Sequence, residues 1–279
     1  MLLLSALALA SGCGDDEAGT GQNRPLTATD TGEQPVAIDD VVEVDRDRGL
    51  YIRCNGTGSP TVVMEGGDGD TSDSYGFAEP AISAVTRVCV YDRANLGRSD
   101  PAPGPRVLRD LVRDLDRLLD AAEIPPPYVL VGTSGGGFIT AGYAYSHPDR
   151  VAGMVFVDTG VPLENPPRAI VEETDPTNPE NVERRDYLRV EREAWEAREE
   201  IGDIPVSIIS VEFSGEAIAE SPFPVERLAM RRNVQRQKGW LVLSSRAKQI
   251  VARTGHAVEE EDPDLVVEQI LDVVRAAQR

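Results

Sequence analysis

The chain has 279 residues, 41% of them hydrophobic, and carries 48 acidic against 28 basic residues for a formal net charge of -20. That length buries one large core, and α/β domains of this size commonly run as a single unit. The negative excess repels nucleic acid and anionic membrane surfaces, so neither is an expected partner.

The opening MLLLSALALASGCGDDEAGTGQN sets an apolar run too short to span a bilayer before small residues, a cysteine and an acidic, Gly-rich stretch. Ala10-Ser11-Gly12-Cys13 resembles the lipobox of a bacterial lipoprotein signal. Leu is more usual at its first position, and the positively charged start is missing, which a misplaced start codon would explain. The resemblance implies export. Residues 1–12 would be the signal peptide, Cys13 would carry a lipid as the one membrane attachment, and 13–38 would be a flexible tether before a domain at 39–279. An ordinary secretory signal with an incidental cysteine is the alternative. In an oxidising compartment Cys54 and Cys89 are a candidate pair, with two buried free thiols as the other option.

After the tail, VVEVD (41–45) and LYIRC (50–54) read as a hairpin, and TVVME (61–65) and RVCVYD (87–92) as buried strands. From Val107 to Ala122 the residues Leu108, Leu111, Val112, Leu115, Leu118 and Leu119 recur at three and four, which predicts an amphipathic helix ended by prolines 125–127. YVLVG (128–132) is a strand running into GTSGGGF, followed by a helix to about Tyr145 that His147-Pro148 stops. VAGMVFVD (151–158) is another buried strand. Residues 160–203, rich in Pro, Asn, acids and Arg, break the rhythm and read as an inserted lid. PVSIISV (205–211), a helix from about Val225 to Ser244, the strand KQIVA (248–252) and the helix DLVVEQILDVVRAA complete the chain. The sum is an α/β fold, a mostly parallel sheet with an antiparallel start and helices on both faces.

Gly132-Thr133-Ser134-Gly135-Gly136 fits G-x-S-x-G between a strand and a helix, where a sharp turn lifts a serine above the sheet and its neighbours must be nearly free of side chain. A nucleotide-binding turn is the rival reading and fails on spacing, because neither G-x-G-x-x-G nor GxxxxGK[ST] is present. Only two histidines exist. His147 sits at a helix end before a proline, a capping or packing position, whereas His256 follows the last strand in a Thr-Gly-His turn.

The succession TVVMEGG, RVCVYDRANLGRSD, VLVGTSGGG, HPDRVAGMVFVD and TGHAVEEEDPDLVVEQI resembles the α/β-hydrolase family over nearly all of 41–278, departing from its pattern at Asn95, where Gly is usual. Asn is the ordinary residue most tolerant of positive φ. The resemblance implies an α/β-hydrolase sheet, Ser134 as nucleophile and His256 as general base, without a cofactor or metal. Serine argues against the dehalogenase and epoxide hydrolase branches, which use Asp there. Cleavage of a small-molecule carboxylic ester through an acyl-enzyme is the default expectation. Amide or peptide cleavage and perhydrolysis could use the same residues, and a non-catalytic binding protein is the rival class. The acid is Asp158, at the end of MVFVD, or Glu212 or Glu216 after the 205–211 strand. Oxyanion donors would be the N–H of Gly135 and that of Asp68, in the loop after TVVME. The family favours an apolar or small residue at 68, so the Asp68 carboxylate is expected to face solvent; otherwise Gly67 donates instead. The family strand order also sets the second strand beside the fourth, which predicts a Cys54–Cys89 disulfide.

Overall fold

A computed structural model describes residues 37–279. The signal peptide, Cys13 and the tether as far as residue 36 lie outside the described residues. The first strand, β1 (Ile38–Asp45), starts one residue inside the span assigned to the tether and forms the expected hairpin with β2 (Arg48–Asn55). Then come β3 (Thr61–Glu65), α1 (Glu79–Ser83), β4 (Val88–Tyr91), α2 (Leu108–Ala121), β5 (Tyr128–Thr133), α3 (Gly136–Ser146) and β6 (Val151–Val157). The segment between β6 and β7 (Val206–Val211) holds α4 (Arg168–Glu173) and α5 (Tyr187–Glu196). The chain closes with α6 (Gly215–Glu220), α7 (Pro224–Arg231), α8 (Asn233–Gln237), β8 (Ala247–Ala252), α9 (Val258–Glu261) and α10 (Pro263–Ala277).

The eight strands form one sheet in the order β1-β2-β4-β3-β5-β6-β7-β8. The pairs β1/β2 and β2/β4 are antiparallel and the remaining pairs parallel. Strands β3, β4, β5 and β7 are buried along their whole length, as continuous apolar runs covered on both faces must be. Alternate residues feed two core clusters. Val63, Leu130, Phe156 and Ile208 join the one containing α2 and α3, while Val62, Val131, Val155 and Ile209 join the one containing α1 and α10. On α2 the predicted stripe of Leu111, Val112, Leu115, Leu118 and Leu119 is the buried face.

Cys54 and Cys89 face each other in register across β2 and β4, with Cα atoms 4.1 Å apart, and are joined in a disulfide. Asn95 adopts a φ of +75°, the left-handed conformation expected of the residue replacing Gly.

One expectation is corrected. The single helix from Val225 to Ser244 is in fact α7, α8 and a 3-10 segment at Lys238–Leu243. Packing decides this. Trp240 is fully buried, with ring centroids of Trp195, Phe156 and Phe138 at 4.9, 5.1 and 5.7 Å, and its Nε1–H donates to the Gly160 carbonyl at 3.1 Å. A Cβ on Gly239 would stand 2.2 Å from the Trp195 ring, so the backbone there presses against the lid helix α5. The helices α1, α6 and α9 were not expected from sequence, because four to six residues are too few for a periodic pattern.

Candidate active site

Ser134 follows β5 and precedes α3, with φ at +47° and its N–H donated to Val157 O at 2.8 Å. The turn is tight because its neighbours lack side chains. A Cβ on Gly136 would come 2.3 Å from Gly66 O, and one on Gly132 would come 2.5 Å from the Gly137 Cα, so the nearby backbones meet almost directly. Asp158 repeats the geometry one strand over. It follows β6 with φ at +43°, and its N–H donates to Ile209 O at 2.8 Å.

His256, in the turn between β8 and α9, joins the two. Its Nε2 is 2.8 Å from Ser134 Oγ and its Nδ1 is 2.7 Å from Asp158 Oδ2. With Nδ1–H donating to the carboxylate, neutral Nε2 accepts from the serine hydroxyl. The other oxygen of Asp158 is also engaged: Oδ1 accepts from Asn233 Nδ2 at 2.7 Å, Gln237 Nε2 at 2.8 Å and the Val211 N–H at 3.2 Å. Burial alone would raise the Asp158 pKa, but the His256 hydrogen bond and charge, with the two carboxamides, hold it below the usual carboxylate range. Burial pulls the His256 pKa down, and the hydrogen bond and charge of Asp158 outweigh it, leaving the imidazole above its ordinary value.

The other sequence candidates lie elsewhere. Glu212 is 59% exposed and pairs with Arg253 Nε at 3.3 Å, and Glu216 is exposed in the first turn of α6. His147 caps α3, its ring 4.8 Å from that of Tyr143, and makes a packing contact. Sequence reading missed Asn233 and Gln237, whose only signal was their spacing of four on one helix.

The loop after β3 is pinned from several sides. Arg93 donates to Gly66 O at 2.7 Å and Gly67 O at 2.6 Å, to Glu65 Oε1 at 2.7 Å, and to both oxygens of Glu183 at 2.8 and 2.9 Å. Glu183 Oε1 accepts from the Gly69 N–H at 2.8 Å. The Gly67 N–H donates to Asp70 Oδ2 at 2.9 Å. Asp68 does not simply face solvent. Its side chain is 40% exposed, lies across Gly135, and has Oδ1 2.9 Å from Arg185 Nη1. Arg93, Glu65, Glu183 and Arg185 are all buried. Burial and then the Arg93 charge act on both carboxylates in opposite senses. Burial wins at Glu65, which is raised, whereas the Arg93 charge and hydrogen bonds win at Glu183, held at about 2. Among the described residues no group of three or more His, Cys, Asp and Glu side chains comes together as a metal-ligand set.

A family model described as the alpha/beta hydrolase fold matches residues 60–190. The esterase EaEST of Exiguobacterium antarcticum superimposes with a TM-score of 0.65 at 12% identity, over 85% of this chain and 100% of that one. The chain has the α/β-hydrolase fold. Among curated relatives, a probable transporter, efuK, of Hormonema carpetanum is 27% identical over 81% of this chain. A putative carbamate hydrolase, RutD, of Azorhizobium caulinodans is 35% identical over 40% of it. This chain spans 41% and 42% of the lengths of those two relatives. On the α/β-hydrolase sheet the three side chains described above stand at the C-terminal ends of β5, β6 and β8, the edge where open α/β sheets bind their ligands.

Proposed function

We propose that the protein is a serine hydrolase that cleaves a carboxylic ester, or a related acyl bond, through an acyl-enzyme. The observation that carries this reading is the unbroken line from Ser134 Oγ through the two nitrogens of His256 to Asp158 Oδ2, with steps of 2.8 and 2.7 Å. Ser134 Oγ attacks the acyl carbon while His256 Nε2 takes its proton, and the carbonyl π pair moves onto oxygen. The N–H groups of Gly135 and Asp68 would meet that oxyanion, with the N-terminus of α3 behind them. Asp158 holds the tautomer and stabilises the imidazolium. Collapse expels the alcohol, which takes the proton from His256. Water, deprotonated by the same histidine, then attacks the acyl-enzyme, releasing the acid and restoring Ser134.

A screen of p-nitrophenyl esters of graded acyl length tests the reading and measures what the lid admits. Ser134→Ala should lose essentially all turnover and all labelling by a fluorophosphonate while keeping its fold. Turnover that survives the substitution refutes it. Because a relative named a putative carbamate hydrolase aligns with part of the chain, a p-nitrophenyl carbamate belongs in the same screen. We also propose export with lipid on Cys13, supported by the lipobox-like run. An intact mass of membrane-expressed protein without an acyl increment would count against it.

A further inference from the structure

We propose that Arg185, in the lid, is a positioning residue for the oxyanion site, neutralising a carboxylate that would otherwise oppose the charge developing there. The inference rests on the nucleophile and oxyanion reading given above. It begins from the oddity of Asp68, an acid at a position whose backbone N–H the proposed function assigns to the oxyanion. The Asp68 carboxylate lies so close to Gly135 that a Cβ on that glycine would meet Oδ1 at 1.9 Å and Oδ2 at 2.8 Å. An acid there lies directly against a residue whose N–H the proposed function assigns to the oxyanion.

Arg185 answers it. Its side chain is 0% exposed, with Nη1 2.9 Å from Asp68 Oδ1 and Nη2 donating to the Gly135 carbonyl at 3.4 Å. The guanidinium thus contacts both residues whose N–H groups are assigned to the oxyanion. Arg93 is held by Glu65 and by the bidentate Glu183, which stands 4.0 Å from Arg185, while Glu191 and Asp70 add further negative charge near Asp68, Glu191 also feeling Arg185. Arg185 is poorly satisfied as a structural pin. Among the described residues its Nε finds no hydrogen-bond partner, and Nη1 meets Asp68 as a charge contact without hydrogen-bond geometry. The Tyr187 ring covers its face, with the Cζ 4.5 Å from the centroid. A bare carboxylate about 5 Å from an oxyanion, at an effective dielectric of about 20, would disfavour it by a factor of about 10².

A charge-reversal cycle read with phenylboronic acid, which forms a tetrahedral anion on an activated serine, tests the idea alongside kcat and KM for p-nitrophenyl acetate. Arg185→Met exposes the oxyanion to Asp68 and should weaken boronate binding and lower kcat by about 10- to 100-fold, with KM changed by less than about threefold. Asp68→Asn leaves the guanidinium uncompensated and should tighten boronate binding about 3- to 10-fold. The double variant should return to within about threefold of the parent. Opposite signs that cancel are not what a merely structural residue gives. If Arg185→Met fails to fold, the tightening in Asp68→Asn decides alone, and equal affinity there overturns the proposal. So does a double variant as impaired as Arg185→Met. Turnover surviving Ser134→Ala would remove the nucleophile and this inference together. Turnover lost in that control, with identical boronate affinity in all charge variants, overturns this inference only.

Discussion

At the scale of single residues, the raised pKa of His256 fixes the sign of the pH response. In the proposed mechanism only neutral imidazole accepts the serine proton, so kcat/KM should climb through a limb shifted upward from the ordinary imidazole value. Asp158→Asn removes the charged group that most raises it, leaving burial opposed only by the weaker Glu259 charge, and the limb should move down while kcat falls by about 10³- to 10⁴-fold. A limb that stays in place in this variant would mean that another group controls the titration. Glu212→Gln, at an exposed carboxylate paired with Arg253, should leave both nearly unchanged. Ser134, His256 and Asp158 could be singled out in the sequence because each follows a strand in a recognisable local context. Asn233 and Gln237 could not, since they matter only through a meeting with Asp158 across 75 and 79 residues of chain. Gln237→Met should leave Asp158 more basic and shift the histidine limb up.

Among the elements, the link between the lid and the β3 loop is the least readable part of the chain. Hydropathy assigns charged residues to the surface, yet Glu65 stands fully buried inside TVVME and Glu183 and Arg185 lie buried in a stretch read as a polar insertion. Their burial depends on one another. Arg93→Met would strand two carboxylates and should cost about 3–5 kcal/mol in urea denaturation. Glu183, at about 2 against an ordinary 4.5, adds a pH signature. Its depressed pKa contributes stability that is present above about pH 4.5 and lost as the pH falls towards 2. The lid should therefore loosen in that window, and Trp195 on α5, edge-on to Trp240, would report it as a fluorescence change. A flat signal from pH 5 to 2.5 would mean that Glu183 does not pin the lid.

For the molecule as a whole, the buried strands and the long amphipathic helices followed from periodicity, and the neighbouring of the second and fourth strands from the family resemblance. The stretch from 225 to 244 did not, because the demand to bury Trp240 outranks helical continuity. Trp240→Ala should cost about 3–5 kcal/mol and free the lid helix whose Trp195 packs edge-on against it. The Cys54–Cys89 bridge closes a loop 35 residues apart in sequence and ties the antiparallel hairpin to the parallel sheet. Reduction should lower stability by about 3–4 kcal/mol in the loop-entropy view, and free thiols in non-reduced, alkylated protein would deny the bridge.

Ser134 and Asp158 both hold the left-handed conformation that glycine adopts at no cost. Each turn is enforced by a hydrogen bond to the next strand, so the sheet keeps two of its own residues in a posture they would leave if released. Replacing Ser134 with glycine should then give a dead protein that melts at a higher temperature than the active one, by an amount matching about 1 kcal/mol. On the proposed function, robustness and turnover are opposed at that position, and selection for heat resistance alone would erode the site from Ser134 outward.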